Sequence, residues 1–213
     1  MNKETVMQLL QAIIVLIVLA CCAAGCAFTA DELQYTTISQ TNNFELRDYP
    51  PYIVAETEVD GTLEKAGNKA FRRLFHYISG KNRSQEKISM TSPVTQEASS
   101  EKIAMTTPVA QQSTADGWMV SFMMPMSYTM DTIPIPDDPN VKVRQVPARR
   151  MACVQYSGTW SEKRYLRYLQ ELESWIKENG FTTLSKPVWA RYNPPFTLWF
   201  LRRNEILIQV DSK

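Results

Sequence analysis

Histidine is nearly missing from this chain: His76 is the single one among 213 residues. A Ser-His-Asp or Cys-His arrangement would have to be assembled on that one imidazole, and neither serine nor cysteine stands beside it in sequence. An excess of either charge is missing too. With 23 basic and 22 acidic residues, no long-range field directs the chain to nucleic acid. Cysteine is scarce where a fold would use it. Cys21, Cys22 and Cys26 crowd the N-terminus and leave Cys153 alone in the rest of the chain, which excludes a disulfide within the domain and the usual zinc spacings. Cys153, inside Met151-Ala-Cys-Val-Gln-Tyr156, reads as a small hydrophobe in a strand. Metal-ligand clusters and phosphate loops are absent from the sequence.

What is present begins with an apolar leader. No charged residue occurs from Thr5 to Ala30, and residues 12–20 are strongly apolar, the pattern of a membrane-directed segment outside the fold. Three readings compete: a cleaved signal peptide, an uncleaved anchor, and a lipoprotein signal in which Ala23-Ala-Gly-Cys26 resembles a lipobox and Cys26 carries the lipid. Lys3 is offset by Glu4, and Ala23 stands where a stronger lipobox has leucine. The lipoprotein reading is preferred, followed by the anchor. Both put the domain in the cell envelope, membrane-anchored on the periplasmic side.

A nine-residue phrase is written twice, Glu86-Lys-Ile-Ser-Met-Thr-Ser-Pro-Val94 and Glu101-Lys-Ile-Ala-Met-Thr-Thr-Pro-Val109, fifteen positions apart. A solenoid unit needs roughly 20 to 50 residues, so the phrase reads as a β element ended by proline each time. It delivers Met90 and Met105 to equivalent places. They form either a soft wall for a large flat ligand or a hairpin of two core methionines.

The remaining organisation follows from punctuation and periodicity. Residues 31–43 are polar and aperiodic, a tether ahead of a domain spanning 44–213. Strands are expected at 44–49 and 52–59, split by Pro50-Pro51. A helix follows, with Leu63, Ala66, Ala70, Phe71, Leu74, Tyr77 and Ile78 at three- and four-residue spacings and Gly80 at its end. After the doubled phrase comes a strand at 118–124. The Pro- and Asp-rich stretch 127–140 is a loop joining two halves. Strands at 141–146 and 149–156, a helix capped by Ser161 with Tyr165, Leu166, Leu169, Leu172, Trp175 and Ile176 on one face, and strands at 188–192 and 205–210 complete the chain. Each half reads strand, strand, helix, strand, strand. The fold class is α+β: a distorted antiparallel β-barrel or sheet of two pseudo-repeated units with two flanking helices.

Several of these phrases, in this order, resemble the SOUL haem-binding proteins. The likeness runs from about Phe44 to Val210 and rests on Phe44-Glu-Leu-Arg-Asp-Tyr49, Ile78-Ser-Gly-Lys-Asn82, Lys87-Ile-Ser-Met-Thr-Ser-Pro-Val94, Arg191-Tyr-Asn-Pro-Pro195 and Arg202-Arg-Asn-Glu205. The second Met-Thr-x-Pro-Val copy is similar to an elaboration of bacterial members. The resemblance implies a distorted barrel with two helices, an open apolar cleft and binding of haem or related tetrapyrroles without covalent attachment. No Cys-x-x-Cys-His attachment sequence is present. Where some animal members place a haem-ligating histidine, this chain has Asp48. Other members use a pocket beside the first helix, and there Asn68, Phe71, Phe75 and His76 match. A cationic position of the family falls at Thr197, which carries no charge.

At 100° per residue His76 lies opposite the Leu63, Ala70, Leu74 stripe, beside Lys65, Lys69 and Arg72. The plain reading is a solvated polar face. The resemblance puts the pocket on this flank, so that His76 approaches the haem iron or a propionate while Phe75, at the stripe's edge, covers the ligand. Met90 and Met105 offer walls or a weak axial thioether. Arg72, Lys69 or Arg202 would pair with propionates; the ordinary state of such cations is solvated. Residues 196–201, an apolar run, form the lip of a cleft, rest on a membrane or pack on the second helix. Glu56 and Glu58 share one strand face and read as a solvated edge. The expected function is reversible, non-covalent haem binding in the cell envelope, as buffer or carrier, with no catalysis and no nucleic-acid partner. The alternatives are a module for another flat hydrophobic molecule and an envelope interaction protein with a degenerate cleft.

Overall fold

The computed structural model describes residues 31–85 and 100–211. The leader with Cys26, and the first copy of the doubled phrase with Met90, lie outside the described residues. The first strand of the main sheet, β1 (Thr36–Thr41), runs along the stretch expected to be a tether. All six of its residues are exposed, which is why its sequence has no inside and no alternation. A turn with Asn42 at positive φ leads into β2 (Phe44–Tyr49). Pro50 and Pro51, which have no N–H to donate, separate it from β3 (Tyr52–Val59).

Helix α1 (Leu63–Ile78) follows, and Gly80 beyond it adopts φ +108°, open to glycine without strain. In the second copy of the phrase the strand that ends at its proline is short: Thr106–Thr107 pair, in parallel with Asp31–Glu32. Strand β4 (Val109–Ser113) starts after Pro108, at the phrase's last residue, because a proline fits the start of a strand better than its interior. Next come β5 (Trp118–Met123), β6 (Lys142–Val146) and β7 (Arg149–Tyr156). Helix α2 (Glu162–Glu178) is capped by Ser161, whose hydroxyl accepts from the Arg164 N–H. Strands β8 (Val188–Arg191) and β9 (Asn204–Gln209) end the fold.

The nine strands form one antiparallel sheet in the order β6-β3-β5-β4-β8-β9-β7-β2-β1. It does not close into a barrel, since β6 and β1 are its two edges. The two strand-strand-helix-strand-strand units are present, but each lends its first strand to the other. β2 pairs with β7 of the second half, and β6 pairs with β3 of the first. Both helices lie on one face. Ala66, Ala70, Leu74 and Tyr77 of α1 pack with Ile53, Ala55, Val120 and Phe122. Tyr165, Leu172 and Ile176 of α2 pack with Leu46, Val154, Ile206 and Ile208. Leu166, placed by periodicity on that apolar face, is exposed; it sits one position round from Tyr165, at the edge of the stripe. On the other face Leu33 packs with Tyr49, Tyr52, Met123, Met151, Cys153 and Leu207.

That second face carries charge in its interior. Arg47 on β2 and Glu205 on β9 are both fully buried and bond twice, at 2.8 and 3.0 Å. Glu45 accepts the Arg47 Nε–H at 2.7 Å and the Tyr49 hydroxyl a further N–H at 3.2 Å, while Arg203 and the Tyr192 hydroxyl, at 2.8 and 2.6 Å, complete the Glu205 carboxylate. Burial opposes ionisation of Glu205, but hydrogen bonding and charge from Arg47, then Arg203, outweigh it and hold the carboxyl below the usual range. Cys153, buried beside the pair, has its thiol pushed well up by burial and by Glu205. Glu56 is not a solvated edge either. β3 is an interior strand, and Glu56 is buried against Arg144 at 2.8 Å while Glu58 is exposed.

Glu205→Gln is expected to lower the unfolding free energy by about 3–5 kcal/mol, the usual result of stripping one partner from a buried pair. Because the folded carboxyl lies below its unfolded value, its contribution is complete above the unfolded carboxylate range, about pH 4–5, and fades as pH falls through the folded value. Denaturant titrations from neutral to acid pH should show this acid slope in wild type and a shallower one in the variant. Parallel curves would contradict the assignment.

Candidate functional site

The site is built on the part of α1 that the core leaves free. With Ala66, Ala70, Leu74 and Tyr77 turned to the sheet, the helical period forces Lys65, Lys69, Arg72 and His76 to the opposite side. There, Lys65, Asn68, Lys69, Arg72, Arg73, His76 and Asp138 line an open depression of about 480 Å³. Asp138 comes from the proline-rich loop between the halves. Its carboxyl is held below the usual range, first by the backbone and side-chain amides of Asn140 and then, against a small burial effect, by the Arg73 charge. Arg73 approaches Asp138 at 3.3 Å and donates to the Thr57 hydroxyl at 2.8 Å. One cation and the one anion of the depression are therefore matched. Lys65, Lys69 and Arg72 have no ion-pair partner among the described residues.

The flank of the same helix supplies aromatic surface. Phe71 and Phe75, one turn apart, stack with ring centroids 5.9 Å apart and an interplanar angle of 12°. They remain 37% and 45% exposed. Phe71 is anchored by edge-on packing, at 5.2 Å, on the buried Phe122 of β5. A flat ligand carrying carboxylates would thus meet a ring face near the Lys65, Lys69 and Arg72 cations, with an imidazole within the same depression.

A sequence profile described as SOUL heme-binding protein matches residues 30–209. The chain belongs to the SOUL heme-binding protein family. Among its relatives, heme-binding protein 2 of Homo sapiens is 26% identical over 175 residues, which is 78% of this chain and 81% of that protein. Heme-binding protein 1 of Xenopus tropicalis is 24% identical over 169 residues, 76% of this chain and 84% of that one. The fold is shared more widely. The EcmrR C-terminal domain superposes with a TM-score of 0.52 at 14% identity, covering 84% of this SOUL chain and 99% of that domain.

Of the residues singled out in the sequence, the structure brings Asn68, Lys69, Arg72 and His76 into the depression, while Phe71 and Phe75 stack on the flank of the same helix, outside its lining. Met105 is half-buried against the core beneath α1, with Ile103. Arg202 is elsewhere. Its guanidinium donates to the Thr197 and Pro195 carbonyls and lies 4.4 Å over the Trp160 ring. Asp48 is paired with Arg150 through two hydrogen bonds of 2.8 Å. Sequence reasoning missed Arg73 and Asp138. Their signal was the acidic pair 137–138 following a helix with paired arginines, and only the fold shows that the two segments meet. A second cavity, on the opposite sheet face among Tyr49, Tyr52, Arg149, Met151 and Tyr192, measures about 40 Å³. That is room for a water or two, not for a macrocycle.

The two phenylalanines should separate in mutagenesis. Phe75→Ala is expected to change stability by less than about 0.5 kcal/mol, as for other exposed positions. Phe71→Ala, which loses the contact with Phe122, should cost about 1–2 kcal/mol. Equal losses in denaturant unfolding would mean that Phe75 is part of the core.

Proposed function

We propose that this protein binds haem, or a related tetrapyrrole, reversibly and without a covalent bond on the outer flank of α1, and that it buffers or carries the ligand without catalysis. The observation that carries the reading is the exposed Phe71–Phe75 stack on the helix that carries the Lys65, Lys69 and Arg72 cations and the single histidine. A macrocycle face lies over the rings, and its carboxylates pair with Lys65, Lys69 and Arg72, of which Arg72 alone offers a bidentate fork. The His76 imidazole faces either the iron or a propionate. Bound haem would supply an iron centre with an open coordination face. The chain's own part is to hold the plane and neutralise its acid groups.

The depression's volume is within the range of small-molecule clefts, yet it is open and leaves much of a planar ligand in water. That supports exchange rather than permanent retention. The relatives named for heme binding support the same ligand. The uncharged run from Thr5 to Ala30 supports tethering to a membrane, with the domain on the periplasmic side of the cell envelope and Cys26 as the lipidated residue.

Haem titrated into the full chain should give a saturable change in the Soret band. His76→Ala should move the band and weaken binding; an unchanged band and affinity would remove His76 from the site. Lys69→Glu and Arg72→Glu should each weaken binding by roughly two- to fivefold, on the scale of exposed ion pairs, and the effect should shrink at high salt. Saturable binding of a planar anionic dye with no haem response would assign the flank to another flat ligand.

A further inference from the structure

The apolar run 196–201 neither lies under α2 nor borders the α1 depression. Phe196 is 86% exposed, and Leu198, Trp199, Phe200 and Leu201 are each more than half exposed. This exposure is built into the loop. The Thr197 N–H donates to the Pro194 carbonyl at 3.1 Å, and residues Trp199–Leu201 form a turn of 3₁₀ helix in which the Leu201 N–H reaches the Leu198 carbonyl at 2.9 Å. Arg202 clamps the loop from within through the Thr197 and Pro195 carbonyls at 2.8 and 2.6 Å. The Asn193 side chain closes the base by accepting the Arg203 N–H at 2.6 Å. With the loop held in this shape, the five side chains face outward.

Two further facts select the partner. From Tyr192 to Arg203 there is no acidic residue, so the exposed Trp, Phe and Leu side chains carry no nearby loop carboxylate that would oppose entry into a bilayer interface. The loop also stands where the leader joins the domain. Glu32 pairs with Arg203 at 2.7 Å, so the second described residue after the uncharged run Thr5 to Ala30 is fastened to the base of the apolar loop. The described chain therefore begins beside these side chains.

We propose that Phe196, Leu198, Trp199, Phe200 and Leu201 form a second membrane contact that inserts into the interfacial layer of the bilayer holding the N-terminal segment, and so fixes the orientation of the domain on the surface. The proposal rests on the membrane tether proposed above, and the test separates the two. Full-length protein is reconstituted into vesicles of phosphatidylcholine and phosphatidylglycerol, with and without brominated acyl chains, and floated on a density gradient. The leader contains no tryptophan, so quenching by bromine reports the folded domain. Flotation with a loss of tryptophan emission in brominated vesicles is expected. Trp199→Phe should abolish the larger part of that loss, and Phe196→Ser with Leu201→Ser should diminish it without unfolding the domain. Flotation with equal emission in both vesicle types overturns the loop contact and leaves the tether standing. Shielding of Trp199 from aqueous acrylamide without quenching by bromine also overturns it, since the loop is then covered by protein, either the leader or a second copy. Failure to float overturns both.

Discussion

The double hydrogen bond between Arg47 and Glu205 is the constraint on which the rest of the architecture turns. The two residues come from opposite ends of the domain, on β2 and β9, with β7 between them. Two charges stripped of water are expensive unless each finds its partner in good geometry. Glu45, Arg203 and Tyr192 supply the remaining bonds. Only one register of β2 against β7 satisfies all of them. The pair therefore acts less as a source of stability than as a selector of the arrangement in which the first half donates a strand to the second. Phe44-Glu-Leu-Arg-Asp-Tyr49 and Arg202-Arg-Asn-Glu205, two of the phrases that carry the family likeness, meet here.

Once the exchanged sheet is set, the role of α1 follows. Its alanines allow the helix to lie close on β3 and β5, with Leu74 and Tyr77 fixing its rotation. Everything at the other phase of the helix is left to solvent, and the loop carrying Asp138 borders that side. The result is a shallow, cationic place with an aromatic flank, open on the solvent side. In the proposed reading, a ligand held there exchanges because the site does not enclose it.

Much of the local structure was legible because prolines and glycines punctuate it. Pro50-Pro51 separates β2 from β3, Pro147 separates β6 from β7, and Gly80 and Gly180 end the helices, so the edges of β2, β3, β7 and both helices could be read within a residue or two. Helical phase was legible too; it set His76 with Lys65, Lys69 and Arg72, and put Phe75 at the border of the stripe. What could not be read depends on contacts far apart in the chain. β1 has two exposed faces and so no alternation to detect. Pro108 ends the two-residue strand Thr106–Thr107 and also precedes β4, a double role the sequence does not show. Strand exchange leaves the order of elements unchanged. The burial of Arg47, Glu56 and Glu205 is invisible without their partners, since an isolated charge in a strand reads as surface. Arg73 and Asp138 meet only through the loop between the halves.

The central claim is a location: the ligand lies on the outer flank of α1. The most direct measurement is paramagnetic line broadening of backbone amides on adding ferric haem to isotopically labelled protein, against a diamagnetic porphyrin control. The account predicts broadening centred on residues 65–76, with the amides around Arg47 and Glu205 left sharp. Broadening centred on Tyr49, Tyr52 and Met151 across the sheet, with α1 untouched, would contradict it.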